Sequence, residues 1–223
     1  MFDISVFYAN WPLLLNGAVT TLALSLGSFV IGMALGALLC PAANNELFTV
    51  RLMARTFIDF FRTIPEIVPI VWLYACAPFL FRIDIDPVPA GLIALSLITA
   101  ATFAEIFRAG LESISEGQRD AGRALGLSRP LILAKIIAPQ IISVVVPPAL
   151  NLFSDLVKMS SLLSLIGVME LSYQTAIISA TTYRYLEMYT FSGAIYLVMI
   201  SGISLATTYV SDRFTRYQTI GRH

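Results

Sequence analysis

The chain alternates between long apolar runs and short polar segments. Five apolar runs are each long enough to cross the hydrocarbon core of a bilayer, about 30 Å, as helices: residues 13–40, 57–81, 89–107, 131–153 and 188–211. A sixth apolar stretch at 160–169 is too short to span, so it is predicted to be a helical continuation or a re-entrant piece. The pattern therefore predicts an all-α membrane protein with about five transmembrane helices.

Composition supports a membrane protein. Hydrophobic residues make up 57% of the 223 residues, charged residues make up 13%, and the mean hydropathy is +0.81. Soluble domains carry about 25% charged residues, so this chain has too few to cover a globular surface. Cys40 and Cys76 both lie in apolar runs and are interpreted as small buried hydrophobic residues rather than metal ligands or a disulfide. Gly32 and Gly36 form a GxxxG pattern that permits close helix packing.

The distribution of basic residues predicts the orientation of the spans. The N-terminus has no basic region typical of a cleavable signal peptide, so the first span is expected to remain. With the N-terminus outside and the C-terminus inside, only Arg82 and Arg184 face outward. We expect an extracytoplasmic segment at 1–12, a transmembrane domain at 13–212 with a cytoplasmic loop at 112–130, and a cytoplasmic tail at 213–223. The basic residues placed inside are Arg51, Arg55, Arg108, Arg119, Arg123, Arg129, Lys135, Arg213, Arg216 and Arg222.

Residues 115–130, SEGQRDAGRALGLSRP, predict a short capped helix between two spans. Ser115 and Gln118 have the spacing of a capping box, in which side chains bind the first free backbone N–H groups. Gly126 is positioned to end the helix in a left-handed conformation. The apolar face of the helix consists of Ala121, Ala124 and Leu125. This pattern leaves two interpretations: an amphipathic linker on the lipid headgroups, or a surface that docks into a cytoplasmic partner.

Several strings resemble one family of transporters. Residues 120–126 (DAGRALG) followed by 136–139 (IIAP) are similar to the EAA loop of ATP-binding-cassette importer permeases. Asp120 replaces the glutamate of that pattern, Gly122 the second alanine and Ala138 the leucine. In order along the chain, residues 61–66 (FRTIPE), 104–110 (AEIFRAG) and 158–162 (KMSSL) resemble the polar amino-acid group, although Met159 departs from its usual aspartate.

The resemblance implies a subunit of a binding-protein-dependent importer in the inner membrane. Its loop helix would couple to a cytoplasmic ATPase dimer, and its partners would include an extracytoplasmic amino-acid receptor and a second permease, either related or identical. Residues 83–87 (IDIDP) with Pro65 and Glu66 resemble histidine, lysine/arginine/ornithine and opine permeases. The ATPase-coupling residues implied are Glu116, Gly117, Asp120, Ala121, Ala124, Leu125 and Gly126.

Charged residues inside the spans form two stripes. An ionisable group at a span centre costs about 2.5–3.5 kcal/mol, so each stripe requires an explanation. The first stripe comprises Arg55, Asp59, Arg62 and Glu66, predicted to lie along one helix. It is either an internal ion-pair ladder or a stripe whose deeper end, Glu66, faces the translocation path.

The second stripe lies where the fourth span ends and comprises Asn151, Asp155 and Lys158. Asp155 and Lys158 either pair with each other or line a water-filled cavity, where they would contact the charged groups of an amino acid and Ser161 would add a hydrogen bond. Prolines at 139, 147 and 148 predict a kink or interruption of this span.

Near the end of span three, Glu105, Arg108 and Glu112 are expected to anchor the cytoplasmic loop to its partner.

The sequence also limits the chemistry. It contains no G-x-x-x-x-G-K-[ST] phosphate-binding loop, so ATP hydrolysis is assigned to another polypeptide. The single histidine, His223, is terminal and is interpreted as inert, and we predict no enzyme activity, cofactor or metal. A secondary carrier or ion-coupled channel remains the alternative, because intramembrane acids also serve proton and ion sites. Glu66 and Asp155 favour a cationic amino acid as substrate.

Overall fold

The computed structural model describes residues 4–219, apart from the side chains of Glu116, Arg119, Arg129 and residues 210–219. Within that part of the chain the secondary structure is helical, without strands. The helices are α1 (Ser5–Ala43), α2 (Phe48–Thr63), α3 (Ile67–Val71), a π turn (Trp72–Cys76), α4 (Ala77–Phe81), α5 (Pro87–Glu112), α6 (Glu116–Ala124), α7 (Arg129–Ile132), a π turn (Leu133–Ile137), α8 (Ala138–Met159), a 3₁₀ helix (Ser160–Ile166), α9 (Leu171–Thr182) and α10 (Tyr185–Thr219).

Four helical segments are long and apolar enough to cross a membrane: Ser5–Ala43, Pro87–Glu112, Pro130–Ile166 and Tyr185–Tyr209. A fifth span is obtained if α2 and the helix Ile67–Phe81 are taken as one broken segment. The all-helical fold with about five spans is confirmed.

The second predicted span is not one continuous helix. The axes of α2 and the segment Ile67–Phe81 differ by 104° across the break at residues 64–66. Ile64 adopts an extended conformation with φ −82° and ψ 140° because Pro65 follows it, and the residue before a proline is disfavoured in the helical region. Consequently Glu66 belongs to the start of α3 rather than to the stripe on α2.

Helix α5 is the centre of the bundle. Buried residues make up 61% of its most apolar window, compared with 6% in the corresponding window of α10. Helix α1 packs directly against α5 through the predicted GxxxG pattern. A Cβ added to Gly32 would lie 2.6 Å from the Thr99 Cβ, and one added to Gly36 would lie 2.5 Å from the Phe103 Cβ. The two helices therefore approach at distances that only glycine allows.

The fourth span is longer than its apolar run indicated. The helix widens into the π turn Leu133–Ile137 directly before Pro139, which lacks an amide N–H. Pro147 and Pro148 lie inside α8 without ending it. Of the two predicted alternatives, a kink or an interruption, the interruption is therefore wrong for these two prolines. After Met159 the chain continues as the 3₁₀ helix Ser160–Ile166. Of the two alternatives predicted for this stretch, a helical continuation or a re-entrant piece, the helical continuation is therefore present.

Candidate functional site

Helix α6 begins where the sequence predicted, but without the capping box. Ser115 is the N-cap residue with φ −67° and ψ 143°, and its side chain makes no capping hydrogen bond. The Gln118 N–H instead donates to the Ser115 carbonyl oxygen at 3.2 Å, a bond that tightens the first turn. Backbone geometry therefore replaces the predicted side-chain cap. The side chain of Glu116, another predicted coupling residue, lies outside the described part of the structure.

The end of α6 agrees with the prediction. Gly126 has a left-handed φ of +73°. Its N–H donates to the Arg123 carbonyl at 2.9 Å, and the Leu127 N–H donates to the Gly122 carbonyl at 3.1 Å. These two bonds form a Schellman motif, which fixes the direction in which the chain leaves the helix. Apart from its neighbours along the chain, no atom of the described residues lies within 4 Å of a Cβ added to Gly126, so the backbone conformation is what favours glycine here.

The two faces of α6 have different surroundings. Ala121, Ala124 and Leu125 are exposed, and 76% of the Leu125 surface is accessible. On the opposite face Gly122 is buried, and a Cβ there would lie 2.9 Å from Cγ1 of Ile132. The helix thus rests on the following segment through Gly122 and leaves its apolar face uncovered.

A small hydrophobic cluster lies under α6. Ile114, Ile132 and Ile137 are buried together, and Leu127 and Ile136 pack against them. The residues before and after α6 are therefore held by one core. Among the remaining predicted coupling residues, Asp120 pairs with Arg123 at 3.2 Å on the exposed surface, and Gly117 is exposed with open space around it.

The polar stripe on α8 faces away from the core of this chain. Asn151, Asp155 and Lys158 are exposed, whereas Leu152, Leu156 and Val157, interleaved with them, are buried. Asp155 Oδ1 and Lys158 Nζ form an ion pair at 2.7 Å. The Ser161 hydroxyl, predicted to contact substrate, donates to the Lys158 carbonyl oxygen at 2.7 Å. The predicted pairing alternative is therefore present, and the stripe remains accessible.

Glu66 does not continue the first stripe. It is exposed at the N-cap of α3, and among the residues that the structure describes it has no ion-pair partner. Arg62 pairs with Glu105 of α5, at 3.3 Å between Nη1 and Oε2, rather than with a neighbour on its own helix. The predicted ladder along one helix is therefore wrong, because the chain turns at Pro65 and Arg62 faces α5.

Charged residues of α2 and α5 meet around a cavity. Arg108 binds Glu105 through two hydrogen bonds, at 3.1 and 2.9 Å, and binds Glu112 at 2.7 Å. The cavity has a volume of about 350 Å³ and is also lined by the other charged residues of this end of α2 and by the end of α1. Its residues are Ala43, Asn44, Arg55, Ile58, Asp59, Arg62, Glu105, Arg108 and Glu112. The cavity lining thus contains three arginines and three acidic residues, so its net formal charge is zero.

A buried carboxylate that sequence reasoning missed lies at the start of α9. Glu170 is 0% exposed and accepts hydrogen bonds from the Ser172 N–H at 2.9 Å and the Tyr173 N–H at 2.8 Å. The Tyr196 hydroxyl donates to it at 3.0 Å and the Thr21 hydroxyl at 3.4 Å. Its place just before an apolar helix was the one local signal, since a negative charge is stabilised near a helix N-terminus. Glu170 thereby joins α9 to α1 and α10.

The sequence of this chain matches one known protein family over most of its length. Residues 40–217 match the family model described as "Binding-protein-dependent transport system inner membrane component". The chain belongs to this family. It is thus an inner-membrane permease, and the long apolar helices described above are consistent with that location.

Relatives extend the match over nearly the whole permease. It is 30% identical to the Bacillus subtilis (strain 168) protein named "Probable glutamine ABC transporter permease protein GlnM", over 96% of this chain and 99% of that protein. It is 31% identical to the "L-cystine transport system permease protein TcyB" of the same strain, over 93% of this chain and 88% of that one. Both relatives are permease subunits by name.

A solved structure shares the fold of the permease. The "Crystal structure of an amino acid ABC transporter with histidines" contains a chain with a TM-score of 0.88 and 30% identity, covering 96% of this chain and 99% of that one. The permease is therefore the amino-acid importer subunit that the sequence motifs indicated. Family membership also disfavours the alternative of a self-standing secondary carrier, because the family consists of components of binding-protein-dependent transport systems.

Proposed function

We propose that α6 is the coupling helix through which this permease binds a cytoplasmic ATPase. The observation that carries the proposal is the exposed apolar face of Ala121, Ala124 and Leu125 on a helix whose other face is fixed by the core around Ile114 and Ile132. A helix held on both sides by one core moves as a rigid lever. ATP hydrolysis then belongs to the partner, and closure of the ATPase dimer moves α6.

The proposed topology places α6 and the ATPase on the cytoplasmic side. The segment 112–130 forms the coupling loop of a transmembrane domain spanning 13–212, with 1–12 outside and the tail 213–223 inside. Part of each end, including His223, lies outside the described residues. The permease is expected to pair with a second permease subunit, either identical or related, and to receive its substrate from an extracytoplasmic receptor.

The proposed translocation path follows the polar stripe Asn151, Asp155 and Lys158, with Ser161 and Glu66 at its margins. Support comes from the exposure of the stripe on a span whose opposite face is packed. Polar groups on a membrane helix favour contact with a water-filled path or a second subunit over contact with lipid. Alternating exposure of this stripe to the two sides of the membrane would move the substrate.

The substrate is proposed to be a polar amino acid. Glu66, which has no ion-pair partner among the side chains that the structure describes, favours a cationic side chain such as that of arginine or an opine. The ion pair between Asp155 and Lys158 instead leaves the stripe itself neutral, which favours an uncharged polar side chain, and relatives are named for glutamine and L-cystine. Competition for uptake among arginine, glutamine, cystine and glutamate distinguishes these; preference for glutamate would contradict both forms.

The coupling proposal is tested by Leu125→Asp with Leu47→Asp as the matched control. Both leucines are exposed, at 76% and 64%, and both are placed on the cytoplasmic side by the proposed topology. Losing a buried leucine contact costs about 1.5–3 kcal/mol, so we expect roughly 10- to 100-fold weaker ATPase binding for Leu125→Asp only. Co-purification of the ATPase from detergent extracts measures this. Equal ATPase recovery with both variants would refute the docking face.

A further inference from the structure

We infer that the ion pair between Arg62 and Glu105 is a positioning link that makes the corner between α2 and α3 move together with the end of α5. The inference rests on the proposed coupling function of α6. Arg62 is the penultimate residue of α2, immediately before the break at residues 64–66. Glu105 lies two turns before the end of α5, which leads into α6. The pair therefore joins the bend between α2 and α3 to the helix that leads into α6.

Glu105 is held in a fixed position for this contact. Arg108 binds both of its carboxylate oxygens, at 3.1 and 2.9 Å, and is itself held by Glu112 at 2.7 Å. Two parallel N–H···O bonds restrict orientation as well as position. Arg62 then approaches Oε2 of Glu105 at 3.3 Å, and the Glu105 side chain is only 25% exposed. The anchor on α5 is consequently rigid, and Arg62 is the single link from α2 in this network of described ion pairs.

At one end, the link is connected to α6 through packed residues. Gly110 on α5 lies against α8, where an added Cβ would approach Val145 at 2.7 Å. Ile114, two residues beyond the end of α5, is buried with Ile132 and Ile137 under the coupling helix. Displacement of α6 is therefore transmitted to the end of α5, which carries Glu105.

At the other end, the link leads to the polar stripe. Helix α3 begins directly after the corner, and its Ile70 is 0% exposed in a cluster with Leu156 and Leu163. Leu156 neighbours Asp155, and Leu163 lies in the 3₁₀ helix that follows Lys158. If the corner between α2 and α3 moves together with α5, each movement of α6 shifts the packing of Ile70 against Leu156 and Leu163, behind the polar stripe. Without Arg62, no ion pair between described residues would bind the corner to α5.

The test measures separately the coupling between α6 and the α2–α3 corner and the stability of the protein. The complete transporter, with its ATPase and receptor, is reconstituted in proteoliposomes with wild-type permease, Arg62→Gln or Arg62→Lys. Arg51→Gln is the matched control, because Arg51 is on the same helix and its described guanidinium contacts are local, to the Asn45 carbonyl oxygen and the Phe48 ring. The measured quantity is substrate transported per ATP hydrolysed, alongside ATPase recovery and thermal stability.

For Arg62→Gln we expect the transport-to-ATP ratio to fall about two- to fivefold, as for loss of one partly exposed ion pair, with ATPase recovery and stability unchanged. Arg62→Lys, which retains the charge, should keep most of the ratio, and Arg51→Gln should keep all of it. An unchanged ratio for Arg62→Gln, or an equal fall for Arg51→Gln, overturns the inference. If wild-type permease fails to transport with its ATPase, the proposed function fails instead.

A second variant covers the case in which Arg62→Gln does not assemble. Arg62→Cys with Glu105→Cys is introduced after Cys40 and Cys76 have been replaced by alanine, and the two new thiols are joined by a short bifunctional maleimide. The double-cysteine variant lacks the ion pair and should have a lowered transport-to-ATP ratio before cross-linking. Because the corner and α5 are inferred to move as one body, cross-linking should restore the ratio of the wild-type permease. Loss of transport on cross-linking, reversed with a cleavable linker, would show that the two helices must separate and would refute the link.

Discussion

The buried carboxylate of Glu170 allows a graded prediction of stability. Its four hydrogen bonds include two from backbone N–H groups in the first turn of α9, those of Ser172 and Tyr173. Glu170→Ala leaves both N–H groups without this acceptor in a buried setting. Each unsatisfied group costs about 1–3 kcal/mol, so the free energy of unfolding should fall by roughly 2–6 kcal/mol.

Two milder variants complete the series. Glu170→Gln keeps one acceptor oxygen, so only one N–H is stranded and the expected loss is about 1–3 kcal/mol. Tyr196→Phe removes the hydroxyl that contacts both Glu170 and Ser172 but strands no backbone group, so about 0.5–1.5 kcal/mol is expected. The hydroxyl of Thr21 keeps a partner throughout, because it also accepts from the Leu171 N–H at 3.3 Å.

Unfolding in mixed micelles, followed by tryptophan fluorescence, measures the series. Asp84→Asn, at an exposed acid between α4 and α5, is the control and should change the unfolding free energy by less than about 0.5 kcal/mol. The reasoning predicts the order Tyr196→Phe, Glu170→Gln, Glu170→Ala, from least to most destabilised. A Glu170→Ala variant as stable as wild type, or less affected than Glu170→Gln, would refute the claim that stranded N–H groups dominate the cost.

Two further predictions concern glycines. Gly126→Val should reduce transport severalfold, because φ at +73° costs an L residue about 1–2 kcal/mol and the end of α6 must shift. Gly202→Val, on α10 with open space around it in the described part of the chain, is the control. Normal transport by Gly126→Val with normal ATPase binding would contradict the lever. Gly36→Ala should destabilise the fold by about 1–3 kcal/mol, since the added Cβ would lie 2.5 Å from the Phe103 Cβ. Gly202→Ala is the control, because Gly202 has open space around it in the described part of the chain. Equal unfolding curves for the two variants would contradict the close contact between α1 and α5.

Features governed by near neighbours were predictable from the sequence. Gly126 was identified as a helix stop because the hydrogen bonds of this motif are local: Gly126 N–H donates to the Arg123 carbonyl, and Leu127 N–H to that of Gly122. The apolar runs identified the spans because a helix must satisfy its own backbone in lipid. The failure at Ser115 was small by comparison: the helix began there, but a backbone bond took the place of the side-chain cap.

Features that depend on the packing of distant residues were not predictable. Arg62 has opposite charges at helical spacing on its own segment, so a ladder was expected; Pro65 turned the chain and gave Arg62 a partner on α5. Glu170 gave no pattern, because the Thr21 and Tyr196 hydroxyls that bind it are 149 and 26 residues away. Periodicity describes one helix at a time, and it contains no information on which helix lies beside it.

The exposed ion pair of Asp155 and Lys158 has a consequence for how the protein is made. A newly inserted copy without its partner presents this pair and Asn151 to acyl chains, where ionisable groups cost several kcal/mol. If the proposed second permease subunit covers the stripe, assembly removes this penalty, and biogenesis and complex formation are then energetically linked. On that proposal, copies made in excess of their partner would be less stable in the membrane than assembled ones.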